Sequence, residues 1–303
     1  MFDTHCHVQF QGFKKDAEEI IKKCGEKGMK LNLVGTQKDT SRAGVEMAQK
    51  YPFTYASIGL HPVHLFSTHI DEEESSFTSR EEDFDYEYYK ALGQKPKVVA
   101  VGECGLDLYR LPEGRTVEEV LEKQKKVFTL QYKLAQELNL AMVIHCREAH
   151  QQMIELLQSL CHPERSEGSL SNSLRDSSAL PQNDKNVVRG TVHCYTSNWH
   201  FAKQYLDLGL NLGFTGVITF PPRKTDPQAQ LDLLEVVKNS PLERIVIETD
   251  APYLAPQAYR GTRCEPPMVE EVIKKIAELK NISFAEVEKA TTENAKKLFG
   301  ISS

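Results

Sequence analysis

Paired cysteine motifs are missing from this chain. Its 7 cysteines are odd in number and scattered without a single C-x-x-C. That excludes a disulfide framework and a structural zinc knuckle, and reduced thiols are expected. Long apolar runs are missing as well, since no stretch approaches the roughly 20 residues that cross a bilayer. The opening MFDTHCH has neither the basic nor the apolar region of a secretory signal, so a cytoplasmic protein without membrane contact is expected. Excess positive charge is also absent. With 37 Lys and Arg against 43 Asp and Glu, the formal net charge of -6 is unlike that of a protein that coats nucleic acid by neutralising phosphates. A few local arginines acting beside metal ions are consistent with it. No internal repeat stands out.

What is present is alternation. At 303 residues the length alone allows one domain or two. Short apolar or β-branched runs recur at Met1–His5, Leu31–Thr36, Phe53–Gly59, Val98–Glu103, Ala141–His145, Val187–His193, Leu210–Phe214 and Arg244–Glu248. Helical patterns lie between them, for instance Lys14–Lys27, Ser41–Lys50, Val117–Leu138, Glu148–Leu160 and Gln228–Lys238. Strand and helix alternating eight times predict an α/β chain, a single (β/α)8 TIM barrel over residues 1–303. Met268–Leu279 and Phe284–Leu298 extend its outer helical layer at the C-terminus. Thr116 with Glu119, and Ser283 with Glu286, have capping-box spacing at two helix starts.

Two segments interrupt this order. Residues Cys161–Asn186 are rich in Ser, Asn and Pro, lack a hydrophobic period, and read as a flexible low-complexity insert. Because the insert follows a helix and precedes a strand, it belongs on the face opposite the chemistry. Ser67–Asp85 carries seven acidic residues before its closing Asp85 and follows a strand, so it is expected as a solvated acidic insert on the active-site face. It leads into a helix at Asp85–Leu92.

Four candidate metal ligands are each followed at once by a cysteine: His5-Cys6, Glu103-Cys104, His145-Cys146 and His193-Cys194. Each pair closes an apolar run, and neighbouring side chains on a strand point to opposite faces. In a barrel the ligands then converge while the cysteines turn outward, buried and inert beneath the helices. His7 shares the face of His5, a spacing at which both imidazoles reach one cation. A lone core histidine is more often simply hydrogen-bonded. Glu103 ends an apolar strand, where its charge needs either a salt bridge or a cation; its two oxygens suit it to bridging two ions. Arg147 shares the face of His145 and offers a planar fork for phosphate or carboxylate. Tyr195 shares the face of His193. Glu248 and Asp250 lie on one side of the last strand, and either can face the site. Four histidines and two acids at the ends of five strands exceed what one tetrahedral zinc needs, which points to two metals sharing a bridge.

The set DTHCH, GLHP, VGECGLD, VIHCREA, TVHCYTS and IETDAPYLAP, with a terminal TTENAKKLFG, resembles the TatD-type deoxyribonucleases. These are metal-dependent hydrolases on a barrel related to the amidohydrolases, and the likeness spans nearly the whole chain apart from the two inserts. The resemblance implies two divalent ions, one held by His5, His7, Glu103 and Asp250 and the other by Glu103, His145 and His193. It implies that His61, Asp107 and Arg147 stand behind the ligands or against substrate. Departures occur: the family usually reads GLDYY, has glycine where Ser197 stands, and has asparagine where Cys264 stands. None removes a ligand; they bear on the substrate groove.

The expected activity is 3'-5' exonuclease cleavage of single-stranded DNA or DNA 3' ends, with Asp250 and Glu103 as catalytic carboxylates and Arg147, Arg110, Arg115 or Arg260 offsetting charge. Zinc, manganese, nickel or magnesium all suit the ligands. No obligate protein partner is expected. Two alternatives stay open: an ester or amide hydrolase such as a D-aminoacyl-tRNA deacylase using the same site, and a non-catalytic binding barrel.

Overall fold

The computed structural model describes residues 1–67, 69–72, 75–78, 80–109, 111–161 and 188–302, with backbone alone for 69–72 and 75–78. The chain runs β1 (Phe2–Cys6), α1 (Ala17–Glu26), β2 (Lys30–Val34), α2 (Lys38–Lys50), β3 (Thr54–Ile58), β4 (His69–Glu72), β5 (Ser75–Thr78), α3 (Tyr86–Gly93) and β6 (Val98–Asp107). It continues α4 (Val117–Leu138), β7 (Ala141–Arg147), α5 (His150–Cys161), β8 (Gly190–Val192), α6 (Trp199–Asp207), β9 (Asn211–Phe214), α7 (Gln228–Asn239), β10 (Ile245–Ile247), α8 (Val269–Lys280) and α9 (Phe284–Phe299). Eight strands pair in parallel in the order β1-β2-β3-β6-β7-β8-β9-β10, and surrounding helices make this the expected (β/α)8 barrel.

Sequence chemistry accounts for the elements. Strands such as β1 and β6 are buried along almost their whole length, as parallel strands covered on both faces must be. Both expected capping boxes form, at Thr116 with Glu119 and at Ser283 with Glu286. Asn139 and Gly300, both in the left-handed region, end α4 and α9. Leu298 and Phe299 of α9 join Phe2, Val143 and Val246 in a small apolar cluster at the amino-terminal ends of the strands, opposite the candidate site.

The seam between β10 and β1 closes at the other end. His5 O accepts from Asp250 N at 2.9 Å, and Ala251 O accepts from His7 N at 2.7 Å. Residues expected to be ligands thus also lock the barrel.

Two details differ from expectation, and a third expectation falls outside the described residues. Strands β6 and β7 run on to pair Asp107 with Arg147, so Asp107 lies on its strand rather than beyond it. Gly105 permits this, because a Cβ there would stand 1.8 Å from His145 O. The acidic insert contains an antiparallel hairpin, β4–β5, and its last carboxylates are anchored rather than free in solvent. Glu81 pairs with Lys123 at 2.8 Å, and Glu82 accepts from Lys38 N at 3.3 Å and from the Tyr89 hydroxyl at 3.1 Å. Of the segment 161–186, only Cys161, the end of α5, falls within the described residues, so the expected insert lies outside them.

Candidate metal centre

Five imidazoles and three carboxylates meet at the carboxyl ends of the strands. His5 and His7 face each other with Nε2 atoms 3.2 Å apart. From β6, Glu103 brings Oε2 to 3.3 Å from His5 Nε2. Its Oε1 lies 2.9 Å from His145 Nδ1, 3.3 Å from His61 Nε2 and 3.8 Å from His193 Nε2. Just past β10, Asp250 Oδ1 lies 3.2 Å from His7 Nε2, 3.6 Å from His5 Nε2 and 3.8 Å from His193 Nε2. Asp107, at the end of β6, stands 2.9 Å from His145 Nε2. The six residues expected as ligands are therefore neighbours, with His61 and Asp107 among them. Arg147 lies at the rim, its guanidinium 3.7 Å from the ring centroid of the half-exposed Tyr109.

These His and Glu groups are positioned to bind metal. The ligand atoms of His5, His7 and Glu103 lie within 4.8 Å of one another, as do those of His61, Glu103 and His145. His5 Nδ1 is buried without a hydrogen-bond partner, and its other nitrogen points into the cluster. A borderline divalent cation suits such a mixture of imidazole nitrogen and carboxylate oxygen.

The electrostatics agree. Burial opposes charge on Glu103, yet the imidazoles of His61, His193 and His5 hold its carboxyl well below the usual range. Burial likewise opposes charge on Asp107, but its hydrogen bond with His145 lowers it to about 2. Against the same burial, hydrogen bonds to Asp107 and Glu103 raise His145 to about 9, and Glu248 with Glu103 raises His193 to about 10. His5, desolvated and beside His193, is pushed down. Without metal, protonated His145 and His193 balance the buried carboxylates. Divalent cations, when bound there, would supply that positive charge in place of the protons.

Several supporting residues escaped the sequence reading. Asp3 is fully buried and accepts from His5 N at 3.2 Å and Thr249 N at 3.0 Å, with the Thr249 hydroxyl 2.6 Å from its other oxygen. It ties β1 to the turn carrying Asp250, whose φ of 62 is left-handed. Burial raises Asp3 to about 8 despite these hydrogen bonds, so it is an uncharged acid at neutral pH. An acid inside an apolar strand was the available signal, because it needs partners. Asp3→Ala is expected to cost about 2–4 kcal/mol by leaving buried N–H groups unsatisfied, whereas Asp3→Asn keeps the acceptor and stays within about 1 kcal/mol. Denaturant midpoints of the metal-free proteins measure both; equal losses would contradict the account.

Glu248 and Asp250, left equivalent by alternation, separate in the structure. Glu248 stands behind His193, with Oε1 2.9 Å from Nδ1 but off the line of its N–H, and accepts from Cys194 N. On α4, Gln124 brackets the backbone of Asp107 through N (3.0 Å) and O (2.8 Å). Gln131 brackets Leu60, the residue before His61, in the same way at 2.8 and 3.0 Å. Two glutamines one heptad apart on a buried helical stripe were the signal here.

Two expectations fail locally. Tyr195 does not share the site with His193; it is buried, and its hydroxyl donates to Asn198 O at 2.6 Å. β8 ends at Val192 and Cys194 has a φ of 44, so strand alternation no longer applies. Cys6, Cys104 and Cys146 are buried and bond away from the centre, to Asn32 O, Val143 O and the Tyr205 hydroxyl respectively. Cys194 is only half-buried, with Sγ 3.4 Å from the Thr215 hydroxyl. Arg110 lies outside the described residues, and Arg260 stacks on Phe220 at 4.7 Å.

A family model described as TatD related DNase matches residues 2–300. A relative from Bacillus subtilis, named an uncharacterized metal-dependent hydrolase, YabD, is 35% identical over 302 residues, covering 99% of each chain. The protein of Yersinia pseudotuberculosis named 3'-5' ssDNA/RNA exonuclease TatD is 29% identical over 305 residues, also covering 99% of each. Among solved structures, the TatD homologue YJJV from Escherichia coli superposes with a TM-score of 0.77 at 24% identity, over 100% of this chain and 98% of that one. That last likeness concerns the fold. Among the described residues, no helix is long and apolar enough to cross a membrane.

Proposed function

The chain belongs to the TatD-related DNase family of metal-dependent hydrolases, and from that premise we propose that it is a 3'-5' exonuclease acting on single-stranded DNA or DNA 3' ends. The observation that carries the reading is the convergence of His5, His7, Glu103, His145, His193 and Asp250 on one buried cluster. In this reading they would hold two divalent cations, zinc, manganese, nickel or magnesium, with Glu103 a candidate ligand for either. Such ions, when bound, polarise a phosphoryl oxygen and lower the pKa of an attacking water.

The chain's own residues do the rest. Asp250 is placed to accept a proton, since its Oδ1 faces the imidazoles, 3.2 Å from His7 Nε2 and 3.6 Å from His5 Nε2. Asp107 holds His145 by the nitrogen opposite the one facing Glu103, and Glu248 places its charge 2.9 Å from the outer nitrogen of His193. At the rim, Tyr109 offers an aromatic face for a base, and Arg147 a fork for phosphate. Phe10 stacks on His7 at 4.3 Å, a further aromatic surface beside the cluster. With no excess of basic residues, these local contacts suit a strand end better than a long duplex.

The deciding experiment incubates zinc- or manganese-loaded protein with 3'-labelled single-stranded DNA and, in parallel, with aminoacyl-tRNA. Stepwise release of mononucleotides from the 3' end is the expected result. Deacylation without nucleotide release, with either metal, would replace the nuclease reading with the ester-hydrolase one.

A further inference from the structure

Two loops rise from the carboxyl ends of β9 and β10, the end that carries the metal centre, and contacts between them make one platform. The first leaves β9 through the 3-10 turn Gly216–Thr219 and passes Phe220 on its way to α7. The second leaves β10 past Asp250 and the 3-10 turn Gln257–Tyr259 on its way to α8. Gln257 N donates to the Thr219 hydroxyl at 2.8 Å. Gly216 admits the second loop, since a Cβ there would stand 2.5 Å from Leu254 O. The Arg260 guanidinium lies 4.7 Å from the Phe220 ring centroid, and its neighbour Tyr259 is 43% exposed.

The platform is positively charged in a chain that is not. Arg223 and Lys224 are exposed and make no hydrogen bond or ion pair among the described residues. Pro221, Pro222 and Pro227 stiffen the loop that carries them, which lowers the ordering cost of binding. Across residues 216–230 and 251–262, Arg223, Lys224 and Arg260 stand against one acid, Asp226, while the whole chain has a formal net charge of -6. Asp226 is occupied at the start of α7, where it accepts from Ala229 N at 3.5 Å. The acidic insert follows β3, and β3 and β9 are four strands apart in the ring of eight. Acidic and basic loops therefore stand on opposite sides of the mouth, so a polyanion is turned from the β3 side and drawn to the β9 side.

Building on the exonuclease reading, on which its direction depends, we infer that Phe220, Arg223, Lys224, Tyr259 and Arg260 form a binding surface for single-stranded DNA. It holds the strand on the 5' side of the bond at the metal centre. An enzyme that takes a 3' end into its centre must lead the rest of the strand away over one sector of the rim, and the β9 sector joins exposed cations to aromatic rings. The cations meet phosphates, and bases stack on the rings and on the plane of a guanidinium.

The test titrates zinc-loaded protein into a fluorescent, cleavage-resistant phosphorothioate single strand of about twelve nucleotides, a length such surfaces span. In R223A/K224A the affinity is expected to fall about 10- to 30-fold at low salt, and the slope of log affinity against log salt to become shallower by about 1.4, the share of two phosphate contacts on a single strand. Phe220→Leu keeps an apolar side chain under Arg260 and is expected to bind about tenfold more weakly with the parental salt slope. K289A/K297A removes the same charge from exposed positions on α9 and should keep parental affinity and slope. On a cleavable strand, R223A/K224A should raise KM and leave kcat within about twofold. Equal losses in K289A/K297A would reveal a diffuse charge effect, and a parental slope in R223A/K224A would mean that these side chains meet no phosphate; either result overturns the inference. So would a parent protein that does not bind the strand. A parent that shows these contrasts in binding yet releases no nucleotide removes the exonuclease reading and leaves the surface standing.

Discussion

Replacing Glu103 with glutamine is expected to lower kcat/KM roughly a thousandfold and to strip metal from the protein while leaving it folded. The size of the effect follows from how many groups share this one carboxylate. Its Oε1 faces His145, His61 and His193, and its Oε2 faces His5. A carboxylate meets such a ring with about four lone-pair directions and a full negative charge; an amide keeps one oxygen and presents N–H groups with the other arm. Those N–H groups still find imidazole lone pairs, so the cluster packs, but the charge that balances cations is gone. Elemental analysis, a melting curve and nucleotide release on the same preparation measure the three consequences. A Glu103→Gln protein with parental metal content would show that Glu103 is a structural ion-pair partner, and the bridge would have to be abandoned.

Much of this centre was legible because strand ends obey a period of two. His5, Glu103, His145 and His193 each close an apolar run, and each is followed at once by a cysteine. That local rule needs no knowledge of neighbours. It stopped working where the backbone left the strand: at Cys194, whose positive φ carries Tyr195 away from the site, and at Asp250, whose positive φ separates it from Glu248. The supports were hidden for a different reason. Asp3, Gln124 and Gln131 act on the backbone of other elements, and which backbone stands opposite depends on register between segments far apart in sequence. Strand length was set the same way. Asp107 reached its position on β6 because Gly105 admits the close approach of His145 O, a fact about two strands at once.

For Asp250→Asn, turnover should fall by about 10²- to 10⁴-fold with little change in KM, because an amide of the same shape accepts no proton. The shape is what makes the substitution informative. Asp250 sits at a φ of 62, where asparagine is readily tolerated and alanine costs roughly 1–2 kcal/mol. Asp250→Ala should therefore lose both activity and stability, and Asp250→Asn activity alone. A melting temperature that fell equally in both would point to a purely structural carboxylate; Asp250→Asn turning over within about tenfold of the parent would remove it from proton transfer. Stability and chemistry are bound together here for a reason in the chain's path. Asp250 N donates to His5 O, and His7 N donates to Ala251 O, so the bonds that close the barrel are made by the residues that face its centre. Backbone closure thus fixes where the Asp250 side chain leaves the chain beside the imidazoles. A variant that keeps this backbone changes both the proton acceptor and an expected cation ligand, so metal content measured on the same preparation separates the two: turnover lost at parental metal content assigns the effect to the acceptor.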